Sequence, residues 1–267
     1  MKKLTALLLV LTCLLALTAC GASSDAKTIT VGATPAPHCE ILEVAKELMA
    51  KEGYTLVIQE FNDYIVPNDS VEEGELDANY FQHITYMNSF NAEHGTHLVS
   101  VAGIHYEPFG LYAGKCASLD ELADGAQIAV PNDSSNEARA LLLLQQEGLI
   151  TLKDGVGLSA TKDDIIDNPH NYEIVEMDAH LLPSTLQDVD MAVINGNYAI
   201  DAGLKVSDAV AVEAADGAAA EAYVNVLTVK EGNEDNEAVQ ALVKALQSDE
   251  VKAFIEETYD GAVVPLF

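Results

Sequence analysis

The sequence contains no tryptophan and few positive charges. Its 267 residues include 13 Lys and Arg against 43 Asp and Glu, which gives a formal net charge of −30. A surface this acidic repels phosphate groups, which argues against nucleic acid and anionic lipid surfaces as partners. Without tryptophan, any aromatic pocket must be built from the 10 Tyr and 6 Phe.

Sequence motifs of enzymes are also missing. The chain has no G-x-S-x-G elbow, no Walker loop, no G-x-G-x-x-G and no H-E-x-x-H. Cys39 follows His38, but adjacent side chains rarely face one another, so this pair is a poor candidate for a nucleophile and its base. Nothing in the sequence supports catalysis or calls for a cofactor, and we predict that the protein is not an enzyme.

A long apolar run occurs only near the start of the sequence. Lys2 and Lys3 precede an apolar stretch over 4–17, which is typical of a signal peptide and short for a membrane span. It ends in Leu-Thr-Ala-Cys at 17–20, a pattern that resembles a bacterial lipobox. We expect residues 1–19 to be removed, a lipid on Cys20, and a tether over 20–27. The protein would then be anchored at the extracytoplasmic face of the cell membrane rather than span it.

Two cysteines follow the predicted lipidation site. Export permits a disulfide between Cys39 and Cys116, because oxidising compartments allow such bonds to persist. The sequence is equally consistent with that disulfide and with two free thiols.

Strand-like and helix-like segments alternate along the mature chain. We predict an α/β fold with a largely parallel sheet and a second α/β unit after about residue 115. Two such units indicate a two-lobed protein whose ligand site lies in the cleft, at the carboxyl ends of strands. A helix over 134–146 is predicted to begin with a capping box formed by Ser134 and Glu137. The strand at 223–229 was assigned to the second unit.

Arg139 is the single arginine of the chain and lies where a loop enters the 134–146 helix. A chain this acidic needs a local, directional cation to bind an anion. Guanidinium supplies one, since its planar fork matches a carboxylate with two parallel hydrogen bonds. We therefore predict that Arg139 holds the carboxylate of a small ligand. The alternative is a surface arginine paired with a neighbouring acid.

Other polar and aromatic residues stand at strand–helix junctions. Phe81, His83 and Tyr86 could wall an apolar slot, or could serve as core residues and a helix cap. Asn225 lies within an apolar strand, where an amide is costly unless it is hydrogen-bonded. With Asn195 and Arg139 it would suit an α-amino acid.

A group of histidines offers a different class of function. His83, His94, His97 and His105 fall within one stretch, and exported zinc-binding proteins use such residues. However, His94 and His97 flank a glycine and have the character of loop residues. A zinc-binding protein is therefore kept as the alternative function, with no metal ligands assigned.

The motifs, taken in order, resemble the MetQ/NlpA family, the lipid-anchored methionine-binding proteins of ABC importers. The resemblance covers nearly all of the mature chain and rests on VGAT at 31–34, FNDY at 61–64, DANYFQH at 77–83, AVPND at 129–133 with Asn136 and Arg139, DGVGL at 154–158, NP at 168–169, AVIN at 192–195 and YVN at 223–225.

This resemblance implies a type II-like periplasmic-binding-protein fold with a cleft between lobes. Lobe 1 would comprise 28–112 plus 230–267, and lobe 2 would comprise 115–228. The implied ligand is L-methionine, and the implied protein partners are an ABC permease and its ATPase; D-methionine and methionine-containing dipeptides remain open. Aromatic edges suit a polarizable thioether. The implied ligand-binding residues are Tyr64, Phe81, His83, Tyr86, Asn136, Arg139, Asn195 and Asn225.

Overall fold

The computed structural model describes residues 27–214 and 217–267, without the side chains of 217–219. The predicted signal peptide, Cys20 and the tether up to residue 26 lie outside the described residues. The strands are β1 Thr28–Ala33, β2 Thr55–Glu60, β3 Ala78–His83, β4 Leu98–Tyr106, β5 Gly110–Ala113, β6 Gln127–Pro131, β7 Thr151–Leu152, β8 Ile165–Asp167, β9 Glu173–Met177, β10 Met191–Ile194, β11 Ala209–Val212, β12 Asn225–Lys230 and β13 Val264–Pro265.

Helices occur in both halves of the chain, between the strands. The helices are α1 Glu40–Lys51, α2 Val66–Glu73, α3 Ile84–His94, α4 Ser134–Gln146, α5 Leu182–Thr185, α6 Gly196–Asp201, α7 Gly217–Ala222, α8 Glu237–Leu246 and α9 Asp249–Tyr259. A turn of π-helix over Pro35–Cys39 leads into α1. This composition confirms the predicted α/β class.

Two separate sheets define the two lobes. The first has the strand order β13-β4-β12-β3-β1-β2 and the second has the order β11-β5-β10-β6-β9. Each has its own apolar core. Ile29 and Leu42 belong to the first core, which also includes Val239 of α8 and Ile255 of α9. Leu141 of α4 belongs to the second.

Both sheets are mixed, so the expectation of a largely parallel sheet is wrong. In the first sheet β1 runs parallel to β2 and β3, while β12 is antiparallel to β3 and β4. In the second, β6 is parallel to β9 and β10, and β5 is antiparallel to β10 and β11. The strands that run against the others are β12 and β13 in the first sheet and β5 in the second.

Sheet membership differs from the predicted lobe boundaries at two strands. β5 pairs with β10 in the second sheet, although 28–112 was assigned to lobe 1. β12 lies between β3 and β4 in the first sheet, although 115–228 was assigned to lobe 2. The chain therefore passes between the lobes after β4, at 107–109, and again between β11 and β12. Hydrophobic pattern identifies a strand but does not identify the sheet in which it pairs.

The start of α4 also departs from the prediction. The helix spans Ser134–Gln146 as expected, but its N-cap is Asp133, whose carboxylate accepts a hydrogen bond from the backbone N–H of Asn136. Glu137 is used elsewhere, because it accepts from the backbone N–H of Lys162. The prediction of a capping box formed by Ser134 and Glu137 is therefore wrong.

Cys39 and Cys116 are free thiols. Cys39 packs against the core of the first lobe and Cys116 against that of the second.

Gly114 follows β5 where no side chain can be accommodated. A Cβ atom at this position would lie 2.6 Å from the carbonyl oxygen of Leu186 and 2.9 Å from that of Asp190. These oxygens belong to the backbone and cannot move away like the tip of a side chain. We expect Gly114→Ala to lower the free energy of unfolding by about 1–3 kcal/mol, as overpacking does.

The measurement is urea denaturation followed by circular dichroism. Gly103→Ala is the matched control, because its Cβ would meet a methyl group of Val224 at 3.0 Å, and a side chain can adjust. Equal losses of stability in the two variants would contradict the assignment of a backbone clash at Gly114.

Candidate ligand-binding site

A narrow cavity lies between the two lobes; the space between its atoms is about 320 Å³ with open solvent included, and a water-sized sphere can occupy about 20 Å³ of it. All of the residues predicted to bind a ligand line it: Tyr64, Phe81, His83, Tyr86, Asn136, Arg139, Asn195 and Asn225. They come from distant parts of the chain, so the fold brings the whole predicted set together. Gln82, Glu107, Gly196 and Asn197 also line the cavity and were not predicted.

Strand β12 supplies Asn225 at the floor of the cavity. Its first residue, Asn225, pairs with His83 at the end of β3 on one side and with His105 near the end of β4 on the other. Because β12 runs antiparallel to both neighbours, its beginning and their ends meet at one edge of the sheet. That edge faces the second lobe.

The second lobe contributes residues from two helix starts. Asn136 and Arg139 lie in the first two turns of α4, which follows β6. Asn195 is the N-cap position of α6, directly after β10. Since β6 and β10 are parallel neighbours, their carboxyl ends bring both junctions to the same edge of the second sheet.

Aromatic rings form one wall of the cavity. The Tyr64 ring centroid lies 5.5 Å from those of Phe81 and Tyr86, and it stacks on Tyr198 of the second lobe at 4.9 Å. The hydroxyl of Tyr64 donates to Oδ1 of Asn197 at 2.6 Å. Tyr64 therefore contacts the opposite lobe through both its ring and its hydroxyl, and Tyr198 is an aromatic partner that sequence reasoning missed.

Arg139 is 5% exposed and forms an ion pair with Glu213. Its Nε donates to Oε2 of Glu213 at 2.9 Å, and its Nη2 donates to Oε1 of the same carboxylate and to the backbone oxygen of Glu107 at 2.8 Å. Burial opposes the charge and the Glu213 carboxylate outweighs it, so the pKa of Arg139 lies above its ordinary value. The alternative of an acid-paired arginine is thus realised in a buried form, and Nη1 makes no hydrogen bond to the described residues.

The Arg139 guanidinium also lies against aromatic faces. Its central carbon is 4.0 Å from the ring centroid of Tyr223 and 4.7 Å from that of Phe109. These rings come from the two crossover segments. Cation–π attraction and the Glu213 pair therefore fix the position of the guanidinium plane.

Asn136 links three parts of the site. Its Oδ1 accepts from Nε2 of His83 at 3.1 Å and from Nδ2 of Asn195 at 2.8 Å, while its Nδ2 donates to Asp133. Burial lowers the pKa of His83 to about 3, so its ring is neutral at neutral pH. Asn136 is thus a bridge between lobes. Oδ1 of Asn195 is buried and has no hydrogen-bond partner among the described residues.

A buried polar network lies behind Asn225. The Thr34 hydroxyl bonds Nδ1 of His38 at 2.8 Å, and His38 Nε2 donates to Oδ1 of Asn225 at 3.1 Å. Nε2 of His105 donates to Oε1 of Glu107 at 2.7 Å. Burial lowers the pKa of His38 to about 4 and that of His105 to about 3, so both rings are neutral at neutral pH.

The histidines considered for zinc do not converge. His94 stacks on Phe90 with centroids 4.1 Å apart, and His97 pairs with Glu72 on the surface. Elsewhere in the described ranges, possible ligand atoms of His38, His105 and Glu107 do lie within 4.8 Å of one another. In both histidines each ring nitrogen already makes a hydrogen bond, so the hydrogen-bond network accounts for this group.

A wider cavity forms the outer part of the cleft. It encloses about 870 Å³ including open solvent, and Tyr64, Tyr86 and Tyr198 line its inner end. Its rim is rich in carboxylates, namely Asp63, Glu93, Asp133 and Asp178. The oxygen Oγ of Ser134 donates to Glu93 across this rim at 2.5 Å. The cleft entrance is therefore acidic.

Some of the residues that were not predicted could have been recognised from the sequence, and one could not. Asn197 and Tyr198 belong to the junction after β10 that already drew attention to Asn195. Glu107 follows directly after β4 and precedes a proline, so its place at the carboxyl end of a strand was visible. Glu213 gave no signal, because one acid among 43 cannot be paired with Arg139 from sequence alone.

Residues 29–267 match the model of the NlpA lipoprotein family. The D-methionine-binding lipoprotein MetQ of Salmonella typhimurium is 44% identical over 94% of this chain and 93% of its own length.

Solved structures are similar as well. A lipoprotein from Ruminococcus gnavus has a TM-score of 0.89 and 58% identity, covering 90% of this chain and all of its own. A nutrient-binding protein from Burkholderia cenocepacia, bound to methionine, has a TM-score of 0.85 and 44% identity over 90% of this chain and all of its own.

In the part of the chain that the structure describes, no helix has the length and apolar character needed to cross a membrane. The family model spans both lobes and the cavity between them. The chain belongs to the NlpA lipoprotein family.

Proposed function

We propose that this protein is an extracytoplasmic solute-binding lipoprotein that captures methionine, with L-methionine as the first ligand to test, and delivers it to an ABC importer. The observation that carries the proposal is the convergence of an aromatic wall, Arg139 and two cavity-lining amides, Asn195 and Asn225, on one interlobe cavity. An aromatic wall suits a thioether, and the polar groups suit the two ends of an α-amino acid.

Relatives support the ligand class. A relative from Salmonella typhimurium is named for D-methionine binding, and the structural neighbour from Burkholderia cenocepacia holds methionine. D-methionine and methionine-containing dipeptides are therefore the competing ligands. Zinc is the competitor of a different class, for which the His38, His105 and Glu107 group is the candidate site.

The proposed mechanism is closure of two lobes around the ligand. The chain passes between the lobes from β4 to β5 and from β11 to β12, and side-chain contacts such as the hydrogen bond from Tyr64 to Asn197 also tie the lobes together. Opening would break these contacts and bending at the two crossovers would expose the cavity. The closed form would dock on the permease and its ATPase, with a lipid on Cys20 holding the protein at the membrane.

We further propose that the protein performs binding without catalysis. The titratable groups of the cavity are held in a buried hydrogen-bond network, and no nucleophile with an adjacent base is found among the described lining residues. Binding and release are then the whole of its chemistry.

Thermal unfolding with a ligand panel tests the proposed function. The protein should first be refolded from denaturant, so that no co-purified ligand hides the effect. A ligand at ~100-fold excess over Kd stabilises the native state by about 2.7 kcal/mol. We expect L-methionine to raise the melting temperature. A shift with zinc alone, or with no amino acid or peptide, would contradict the proposal, and a larger shift with D-methionine or a dipeptide would reassign the ligand.

Substitution of Arg139 distinguishes its proposed contact with the ligand carboxylate from its ion pair with Glu213. We expect Arg139→Gln to weaken methionine binding by about 3–5 kcal/mol, because the ligand carboxylate loses its cation in a buried site. The single variant should also lose stability, since Glu213 is left as a buried unpaired charge. In the double variant Arg139→Gln/Glu213→Gln we expect stability to recover while the affinity stays low.

Titration calorimetry measures the affinity and urea denaturation measures the stability. Recovery of both in the double variant would mean that Arg139 acts only through its pair with Glu213. Unchanged affinity in the single variant would contradict the carboxylate-binding role directly.

A further inference from the structure

Glu107 is a buried carboxylate in the wall of the interlobe cavity. It lies in the first crossover, is 6% exposed, and lines the cavity together with Arg139, Asn195 and Asn225. The second lobe presses closely on it, since a Cβ atom built on Gly196 would lie 2.8 Å from Oε2 of Glu107. The carboxylate is therefore fixed in place at the floor of the ligand site.

The donors that hold Glu107 carry no charge. Nδ1 of His105 bonds the Tyr80 hydroxyl at 2.5 Å and Nδ1 of His38 bonds the Thr34 hydroxyl at 2.8 Å. Nε2 of His105 faces an oxygen of Glu107 at 2.7 Å, and Nε2 of His38 faces the amide oxygen of Asn225 at 3.1 Å. Because these oxygens accept, each neutral ring carries its proton on Nε2 and accepts from the hydroxyl at Nδ1. The N–H of His105 therefore donates to the Glu107 carboxylate without neutralising it, whereas the N–H of His38 is given to Asn225 and lies 3.5 Å from Glu107.

The nearby cation is already engaged. Arg139 gives two of its nitrogens to Glu213 and reaches Glu107 only at its backbone oxygen. Arg139 and Glu213 together are neutral, so Glu107, when it is ionised, adds a negative charge to the cavity wall. Burial raises the pKa of Glu107, which is the expected cost of a carboxylate without a cation.

Asp133 is the other acid that could pair with the ammonium group of a ligand, but its oxygens already accept hydrogen bonds. They accept from the backbone N–H and Nδ2 of Asn136 and from the hydroxyl of Ser135, as an N-cap of α4. In contrast, Asn195 has a buried Oδ1 without a partner among the described residues. A buried acceptor without a donor destabilises the protein, and a donor on the ligand would remove that cost. The Glu107 carboxylate and this amide oxygen line the same cavity.

We propose that Glu107 is the counter-ion of the ligand's ammonium group, with Oδ1 of Asn195 as a second acceptor, and that this pair selects amino acids over analogues without the amine. The proposal rests on the proposed function and names the residue that recognises the ammonium end. The network of His38 and His105 acts as a positioning scaffold for the carboxylate.

The test compares methionine with its hydroxy analogue, 2-hydroxy-4-(methylthio)butanoate, by titration calorimetry. The two ligands share the thioether and the carboxylate and differ only in ammonium against hydroxyl. We expect the wild type to bind methionine about 30-fold more tightly or better, as befits a buried charge pair. Glu107→Gln should lose about 30-fold or more for methionine and change its affinity for the hydroxy analogue by less than about threefold.

Two further variants make the comparison specific. Glu73→Gln is the matched control, because it removes one carboxylate at an exposed position outside the cavity. Glu107→Asp keeps the charge and should retain a preference for methionine over the hydroxy analogue, which also covers the case in which Glu107→Gln does not fold. Circular dichroism of each apo-protein verifies folding.

Several outcomes would overturn the proposal. Equal losses for both ligands in Glu107→Gln would give Glu107 a structural role only, and unchanged affinities would remove it from the site. A wild type that binds both ligands with similar affinity would contradict the Glu107 assignment while leaving the proposed function intact. A wild type that binds neither ligand would contradict the proposed function and this inference together.

Discussion

The buried ion pair of Arg139 and Glu213 is the interaction on which the arrangement of the two lobes depends. Glu213 begins one crossover, and it also accepts from the Tyr106 hydroxyl and from the backbone N–H of Phe109 beside the other crossover. Arg139 adds the backbone oxygen of Glu107. One guanidinium thus ties both connections to the start of α4. Breaking one partner of such a pair leaves an uncompensated buried charge, which is strongly destabilising.

This arrangement explains how a very acidic chain can hold an anion. The pair places a cation where the two lobes meet, and water is largely excluded there, so its field is weakly screened. The surrounding amides and neutral imidazoles orient one another through hydrogen bonds. Among the described residues, the polar atoms of the cavity without such a partner include Nη1 of Arg139, Oδ1 of Asn195 and Nδ2 of Asn225, and the Glu107 carboxylate lies beside them. A small zwitterion with an apolar side chain matches these groups and the aromatic wall beside Tyr64.

The sequence predicted elements and site membership better than topology. The α4 helix could be read from its apolar spacing, and the full set of cavity residues could be named because the motifs resemble those of the MetQ/NlpA family. The sequence could not show that β12 belongs to the first sheet, because strand pairing depends on contacts between residues that are far apart in the sequence. The N-cap of α4 was misassigned because Asp133 and Ser134 are both good caps. Glu213 was invisible because a pair between residues 74 positions apart leaves no local pattern.

We propose that the interlobe cavity holds methionine with its carboxylate at Arg139 and its thioether between the rings of Tyr64, Phe81 and Tyr86. A crystal structure of the refolded protein with L-methionine would show the position of the ligand. We expect ligand density in this cavity, with the carboxylate within hydrogen-bond distance of the Arg139 guanidinium and the ammonium beside Glu107. Density with the reversed orientation, at another site, or absent at saturating ligand would contradict it.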